Sequence, residues 1–375
     1  MRIVSVVGAR PQFIKLAPII RAAARIEGLE HRVVHTGQHY DDAMSGTFFR
    51  ELEIPEPSHN LAVGSGSHGQ QTAEMIRRLE PVLEAEKPDW VLLYGDTNST
   101  VAGALVASKL KQRTAHIEAG LRSFNRGMPE EINRIVADHL SDLLFSPTQV
   151  GVDNLCREGL ESRAVLSGDV MYDALLANLC KAEKRTDSLA YHWPEGGYAL
   201  ATVHRAENTD DLTRLRALIA ALERVAVELC PVVLALHPRT RKVLDANHVG
   251  IEHVGIIGPQ PYFDLLLLEK RARMILTDSG GVQKEAYFAR VPCVTLRDET
   301  EWIETLENSC NQLAGASDPE RIVAAARGAQ SAGPWASHYG RGDAARVIIE
   351  ELIKRTGQTA TGRRGRKHAH KRVSS

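Results

Sequence analysis

Short apolar runs rich in β-branched residues alternate with segments of helical period along almost the whole chain. This alternation restricts the fold more than any other feature. Arg2–Val7 reads as a strand and Pro11–Ile26 as a helix; Arg32–His35 and His68–Glu86 repeat the pair. Trp90–Tyr94 reads as a buried strand, Ser99–Leu110 as a helix and Thr114–Ile117 as a strand. The second half keeps the rhythm, with strands at Tyr198–Thr202, Val232–Leu236, Met274–Thr277 and Pro292–Leu296. Helices are expected between them at Asp211–Glu228, Pro261–Lys270 and Gly281–Ala289. Continuously apolar strands interleaved with helices form parallel sheets covered on both faces, so the class is α/β. One such sheet of six or seven strands takes roughly 150–200 residues. The 375 residues therefore carry two doubly wound sheets in tandem. The boundary is expected after Ser167-Gly168-Asp169, giving domains over residues 1–169 and 170–340. Ligands of such sheets bind at the carboxyl ends of the strands, here in the cleft between the two domains.

Charge and cysteine usage exclude several function classes. Lys and Arg number 46 against 47 Asp and Glu, so the chain as a whole is not a polycation seeking nucleic acid. Six of those cations fall in the terminal stretch 357–375, which holds no acid and reads as a basic, solvated, disordered tail. The most apolar stretch, Leu265–Leu268, lies between Asp264 and Glu269 and is far too short for a membrane span. No signal peptide is read at the start, where Met1–Gly8 stops at Arg10. Cys156, Cys180, Cys230, Cys293 and Cys310 are odd in number and widely spaced, which fits a reducing cytoplasm and neither a disulfide framework nor a zinc site.

Two turns suit an anion. Gly8-Ala9-Arg10-Pro11 follows the first strand and places Arg10 and Lys15 at a helix N-terminus. It is not the G-x-G-x-x-G of nicotinamide-binding folds. Asp278-Ser279-Gly280-Gly281 ends another strand, and its glycines let backbone N–H groups approach a phosphate. Glu285, one turn into that helix, suits ribose hydroxyls. Four further segments set ionisable groups at strand ends or helix starts: Asp96 after Trp90–Tyr94, Glu118 after Thr114–Ile117, Glu130 and Glu131 after Pro129, and His204 after Tyr198–Thr202. Carboxylates flanked by apolar strand residues are candidates for acid–base work. Helix capping is the plainer explanation for Glu130; for Glu118, wedged between an apolar strand and Ala119-Gly120, it is weaker, because a buried acid needs a partner.

The run of GARPQFIK, HTGQHYD, YGDTNST, HIEAGLRS, MPEEINR, TVHRAEN, LHPRT, DSGGVQKEA and PCVTLRDETEW, in order over residues 1–315, resembles the non-hydrolysing UDP-N-acetylglucosamine 2-epimerases. The resemblance implies two Rossmann-like domains of the GT-B kind, an interdomain active site and a homodimer. It also implies a C-terminal helix, within residues 341–356, that crosses back to the first domain. Arg10 and Lys15 would hold the nucleotide and its phosphates, Ser279, Gly280 and Gly281 the diphosphate, and Glu285 the ribose. Gln260 would line the uracil pocket and Arg134 would touch the sugar. Asp96, Glu118 and Glu131 match the family's catalytic carboxylates, and His204 its essential histidine. No cofactor, metal, nucleic acid or membrane partner is implied.

Two departures stand out. Thr300-Glu301-Trp302-Ile303-Glu304 replaces the T-E-R-P-E of the best-known members, so Trp302 takes the place of an arginine. This form resembles the branch acting on UDP-2,3-diacetamido-glucuronate in O-antigen synthesis. Tyr40-Asp41-Asp42 follows Gln38-His39, and Gln70 stands where an arginine of the allosteric site is expected. The rival readings are a GT-B glycosyltransferase, which would not crowd three carboxylates around the sugar, and a non-catalytic UDP-sugar sensor, which would not need them. The epimerase chemistry expected is elimination and re-addition of UDP. The sugar's C2 proton has no neighbouring carbonyl to acidify it, and the dinucleotide fingerprint that would permit oxidation at C3 is missing.

Overall fold

The computed structural model describes residues 1–38, 49–184 and 193–369, with side chains as far as Gln358. His39–Asp42, and Tyr191 and His192 ahead of the second half, lie outside the described residues. Two compact units are present: Met1–Ala174 joined by the segment from His338 onward, and Leu175–Ser337. The first division falls after Ala174 rather than after Asp169, inside a helix, Val170–Glu183, that spans it.

The first unit holds a seven-stranded parallel sheet. Its strands are β1 (Arg2–Val7), β2 (Glu30–His35), β3 (His59–Asn60), β4 (Trp90–Tyr94), β5 (Thr114–Ile117), β6 (Leu143–Ser146) and β7 (Ala164–Leu166), in the order β3-β2-β1-β4-β5-β6-β7. The helices that bear on the site are α1 (Arg10–Ala23), α2 (His68–Glu86), α3 (Asn98–Lys109) and α4 (Pro129–Leu140). Val4 and Val6 of β1 and Val91 and Leu93 of β4 pack with Leu79 and Leu83 of α2 and Val106 and Ala107 of α3 in one core cluster. The order reverses between β1 and β4, and such a switch point leaves a crevice at the carboxyl ends of the strands.

The second unit repeats the plan with six parallel strands: β8 (Ala199–Thr202), β9 (Val232–Ala235), β10 (Gly255–Ile257), β11 (Met274–Thr277), β12 (Cys293–Thr295) and β13 (Asn311–Leu313), ordered β10-β9-β8-β11-β12-β13. Neighbouring residues of β8 feed opposite cores, Ala199 and Ala201 on one face and Leu200 on the other, as a strand buried on both sides requires. The switch point lies between β8 and β11, and α5 (Gly280–Ala289) follows β11.

The C-terminal helix α6 (Ala344–Ala369) belongs to the first unit and packs on α1. Asp173 receives the backbone N–H groups of Ala344 and Ala345 at its start. Further along, Trp90 Nε1 donates to Thr356 Oγ1 at 2.9 Å, and the Arg113 guanidinium lies 4.4 Å from the centre of the Trp90 ring. The helical backbone runs to Ala369.

Candidate active site

In the first unit the crevice at the β1/β4 switch point is lined from four segments. Gln12 fixes the turn after β1: its Oε1 accepts from the N–H groups of Gly8 and Ala9, and its Nε2 donates to Tyr94 O at 2.9 Å. The start of α1, with Arg10 half-buried and Lys15 buried, is thereby tied to the end of β4. Lys15 forms an ion pair with Glu118, both side chains being almost wholly buried. Glu118 has φ of 71°, a left-handed conformation that a non-glycine residue seldom adopts and that marks functional turns. Its neighbour in the crevice is Gly95, with φ of 60°. A Cβ there would sit 2.9 Å from Lys15 Nζ and 3.4 Å from Glu118 Oε2, so only glycine leaves room for the pair.

Asp96, next in the chain, ion-pairs with Arg134 of α4, and Arg134 also reaches Glu131 at 2.8 Å. Glu131 accepts from Ser123 N (2.9 Å), Ser123 Oγ (3.0 Å) and Phe124 N (3.0 Å) as well. It is therefore a fully engaged, buried carboxylate. Asp96 keeps 32% of its side chain exposed. The structure thus pairs Lys15 with Glu118 and joins Asp96, Arg134 and Glu131, the two groups meeting where Gly95 leads into Asp96, while Glu130, half-buried at the start of α4, takes no part in these pairs.

In the second unit the corresponding crevice carries His204 and the start of α5. Ser279 caps α5, its hydroxyl accepting from Val282 N, and Gly280 and Gly281 form the first turn. Asp278, fully buried, accepts from the backbone N–H groups of His204 and Arg205 and from Asn208 Nδ2, and lies 3.1 Å from His204 Nδ1. Burial alone would raise this carboxyl; the His204 hydrogen bond and charge, with the N–H groups, outweigh it and hold it below its ordinary value. The His204 ring itself is 44% exposed. A Cβ on Gly280 would lie 2.8 Å from Glu301 Oε1 and 3.4 Å from Trp302 Nε1. Glu301 is held in turn by Arg297 NH1 at 3.0 Å. Trp302 is only 3% exposed, with Lys284 Nζ 3.9 Å from the centre of its ring. Glu285 is buried beside Tyr262; burial first, and then the Glu285 charge, push that phenol well above its ordinary value. Gln260, half-buried, donates to Gly258 O after β10, and Gln70 sits in the first turn of α2 against its cap Ser67.

Sequence reasoning passed over Asp278 as the anchor of His204, although an aspartate at a strand end beside Ser-Gly-Gly was the available signal. No group of His, Cys, Asp and Glu able to hold a metal occurs among the described residues, and no described helix is long and apolar enough to cross a membrane.

The family model for UDP-N-acetylglucosamine 2-epimerase matches residues 21–353. A UDP-2,3-diacetamido-2,3-dideoxy-D-glucuronate 2-epimerase of Pseudomonas aeruginosa is 48% identical over 94% of this chain and 100% of its own. A UDP-N-acetylglucosamine 2-epimerase homolog of Methanococcus maripaludis is 47% identical over 94% of this chain and 99% of its own. The crystal structure of the Methanocaldococcus jannaschii UDP-GlcNAc 2-epimerase in complex with UDP-GlcNAc and UDP superposes with a TM-score of 0.88 at 43% identity, covering 94% of this chain and 100% of that one. With its two doubly wound sheets and strand-end carboxylates, the chain belongs to the UDP-N-acetylglucosamine 2-epimerase family.

Proposed function

We propose that the chain interconverts UDP-N-acetylglucosamine and UDP-N-acetylmannosamine by eliminating UDP to 2-acetamidoglucal and adding it back. The observation that carries this reading is the pairing of Glu118 with Lys15 and of Asp96 and Glu131 with Arg134 at the ends of neighbouring strands and the start of α4. Inverting C2 needs a proton taken from one face and returned to the other, which asks for more than one positioned acid or base. The Ser279-Gly280-Gly281 helix start, with its N–H groups and helix dipole, is assigned the diphosphate, whose developing charge it stabilises. In this reading His204, oriented by Asp278, donates to the departing oxygen, and Arg10 adds positive charge for the nucleotide. Glu285 and Gln260 serve the ribose and uracil. Asp96, paired with Arg134 and still partly exposed, and Glu118, paired with Lys15 at the end of β5, are assigned to proton transfer. Glu131, engaged by four donors, suits a fixed negative charge facing the oxocarbenium-like sugar.

A second reading, the same chemistry on UDP-2,3-diacetamido-glucuronate, is supported by the 48% identity to the enzyme of that name and by Trp302 beside Gly280. Incubation with each nucleotide sugar, followed through the anomeric protons by NMR, separates the two; absence of epimerised product from both rejects the function. Family resemblance also supports a homodimer supplying polysaccharide synthesis, and five free cysteines fit a cytoplasmic setting.

A further inference from the structure

An ionic cluster with a wholly buried centre links the segments of the first unit that carry its carboxylates. His116 on β5 and Asp138 on α4 are both wholly buried, with Nδ1 and Oδ1 2.6 Å apart. The other ring nitrogen, Nε2, lies 2.7 Å from Gly95 O. The remaining oxygen of Asp138 accepts from Gly120 N at 3.1 Å and Arg122 NH1 at 2.8 Å. Arg122 then forks onto both oxygens of Glu158 at 2.7 Å.

Each contact leads to a catalytic segment. Gly95 precedes Asp96 directly. Gly120 follows Glu118 by two residues. Asp138 lies about two turns beyond Glu131 on the same helix, hence on the same side of it. One cluster thus ties together the three segments that carry the three carboxylates.

The hydrogen bonds also fix its charge. A carbonyl oxygen only accepts, so the His116 nitrogen facing Gly95 carries a proton. The nitrogen facing Asp138 meets a carboxylate whose other oxygen already takes two N–H donors. With both ring nitrogens protonated, His116 and Arg122 face the buried Asp138 and the partly exposed Glu158, and the wholly buried carboxylate has cations on both oxygens.

We propose that His116, held as an imidazolium on Asp138, is a positioning residue that sets the spacing of Asp96, Glu118 and Glu131. The inference rests on the epimerase reading above. Its consequence is that a loosened cluster disturbs the return of the proton and UDP more than it disturbs nucleotide binding.

Two measurements test it. The first is independent of catalysis: in the 15N-labelled wild-type protein, the His116 ring, identified by its loss in His116→Gln, should show two protonated nitrogens at neutral pH. A singly protonated ring overturns the proposal. The second compares His116→Gln and Asp138→Asn with the wild type for release of free glycal and UDP per epimerised product. Misplacement of reacting groups by an ångström costs on the order of 10²-fold, so kcat should fall roughly tenfold or more while UDP affinity stays within about twofold, and the glycal ratio should rise. A variant that merely loses folded molecules keeps the wild-type ratio, and that result overturns the positioning role. Should the wild type make neither epimer nor glycal, the epimerase reading fails while the ring measurement still decides the charge of the cluster.

Discussion

Asp278 holds His204 by both its backbone and its ring, accepting from His204 N at 3.0 Å and lying 3.1 Å from Nδ1. An acceptor at Nδ1 keeps that nitrogen protonated, so the proton His204 gives to a leaving group is the second one, at Nε2. Asp278→Asn turns an acceptor into a donor opposite N–H groups. We expect kcat to fall by about 10²-fold with a stability loss of about 1–3 kcal/mol; unchanged kcat in a stable variant would remove His204 from the leaving-group role.

The carboxyls that stabilise this fold act in two pH windows of opposite sign. Asp278 titrates below its unfolded value of 3.8, so its stabilisation is present above that pH and is lost as pH falls through the lower folded value. Asp173 is the reverse. Burial raises it to about 6, against the lowering effect of the Ala345 and Ala344 N–H groups. Between about pH 4 and 6 the native state keeps a proton that the unfolded chain has released, so stability declines as pH rises across this range. Thermal melts from about pH 4 to 7 should show that decline, and Asp173→Asn should flatten it.

The strand ends and the residues on them were legible because a fully buried parallel strand leaves an uninterrupted apolar run. β4, β5 and β11 lie where such runs predict them. The strands β3, β6, β7, β10 and β13 were not anticipated. β3 is the dipeptide His59-Asn60 at a sheet edge, and β13 carries Asn311 and Gln312, so neither has an apolar run to detect. The carboxylates were visible for the same reason the strands were, but their partners were not. Asp278 meets His204 across 74 residues and Asp138 meets His116 across 22, separations that only the folded sheet closes.

Hydrogen bonding divides the three carboxylates by how replacement should act. Asp96→Asn and Glu118→Gln should each lower kcat by at least ~10²-fold, the usual worth of a positioned acid or base; Tm should change little for the partly exposed Asp96 but fall for Glu118, whose loss strips the buried Lys15 of its counter-charge. Glu131→Gln should lower both, since an amide cannot accept from Arg134, Ser123 and Phe124 together. Equal losses of Tm in all three variants would contradict the division.

At the start of α5, Gly280→Ala drives a methyl group against Glu301, which Arg297 holds in place. Overpacking of this kind costs about 1–3 kcal/mol, and UDP affinity, read by calorimetry, should fall. Trp302→Phe keeps a ring beneath Lys284 and removes Nε1 beside Gly280. It should alter the ratio of kcat/KM between the N-acetylglucosamine and diacetamido-glucuronate nucleotides more than it alters UDP affinity. Equal effects on both sugars would exclude Trp302 from substrate choice.

In elimination and re-addition, C2 loses and regains its proton while UDP is detached. Turnover of UDP-N-acetylglucosamine in D₂O tests it most directly, with the C2 position of product read by NMR and the mixture assayed for free glycal and UDP on long incubation. Deuterium is expected at C2 of UDP-N-acetylmannosamine, with slow release of both fragments. Product that retains its original hydrogen at C2 would contradict it.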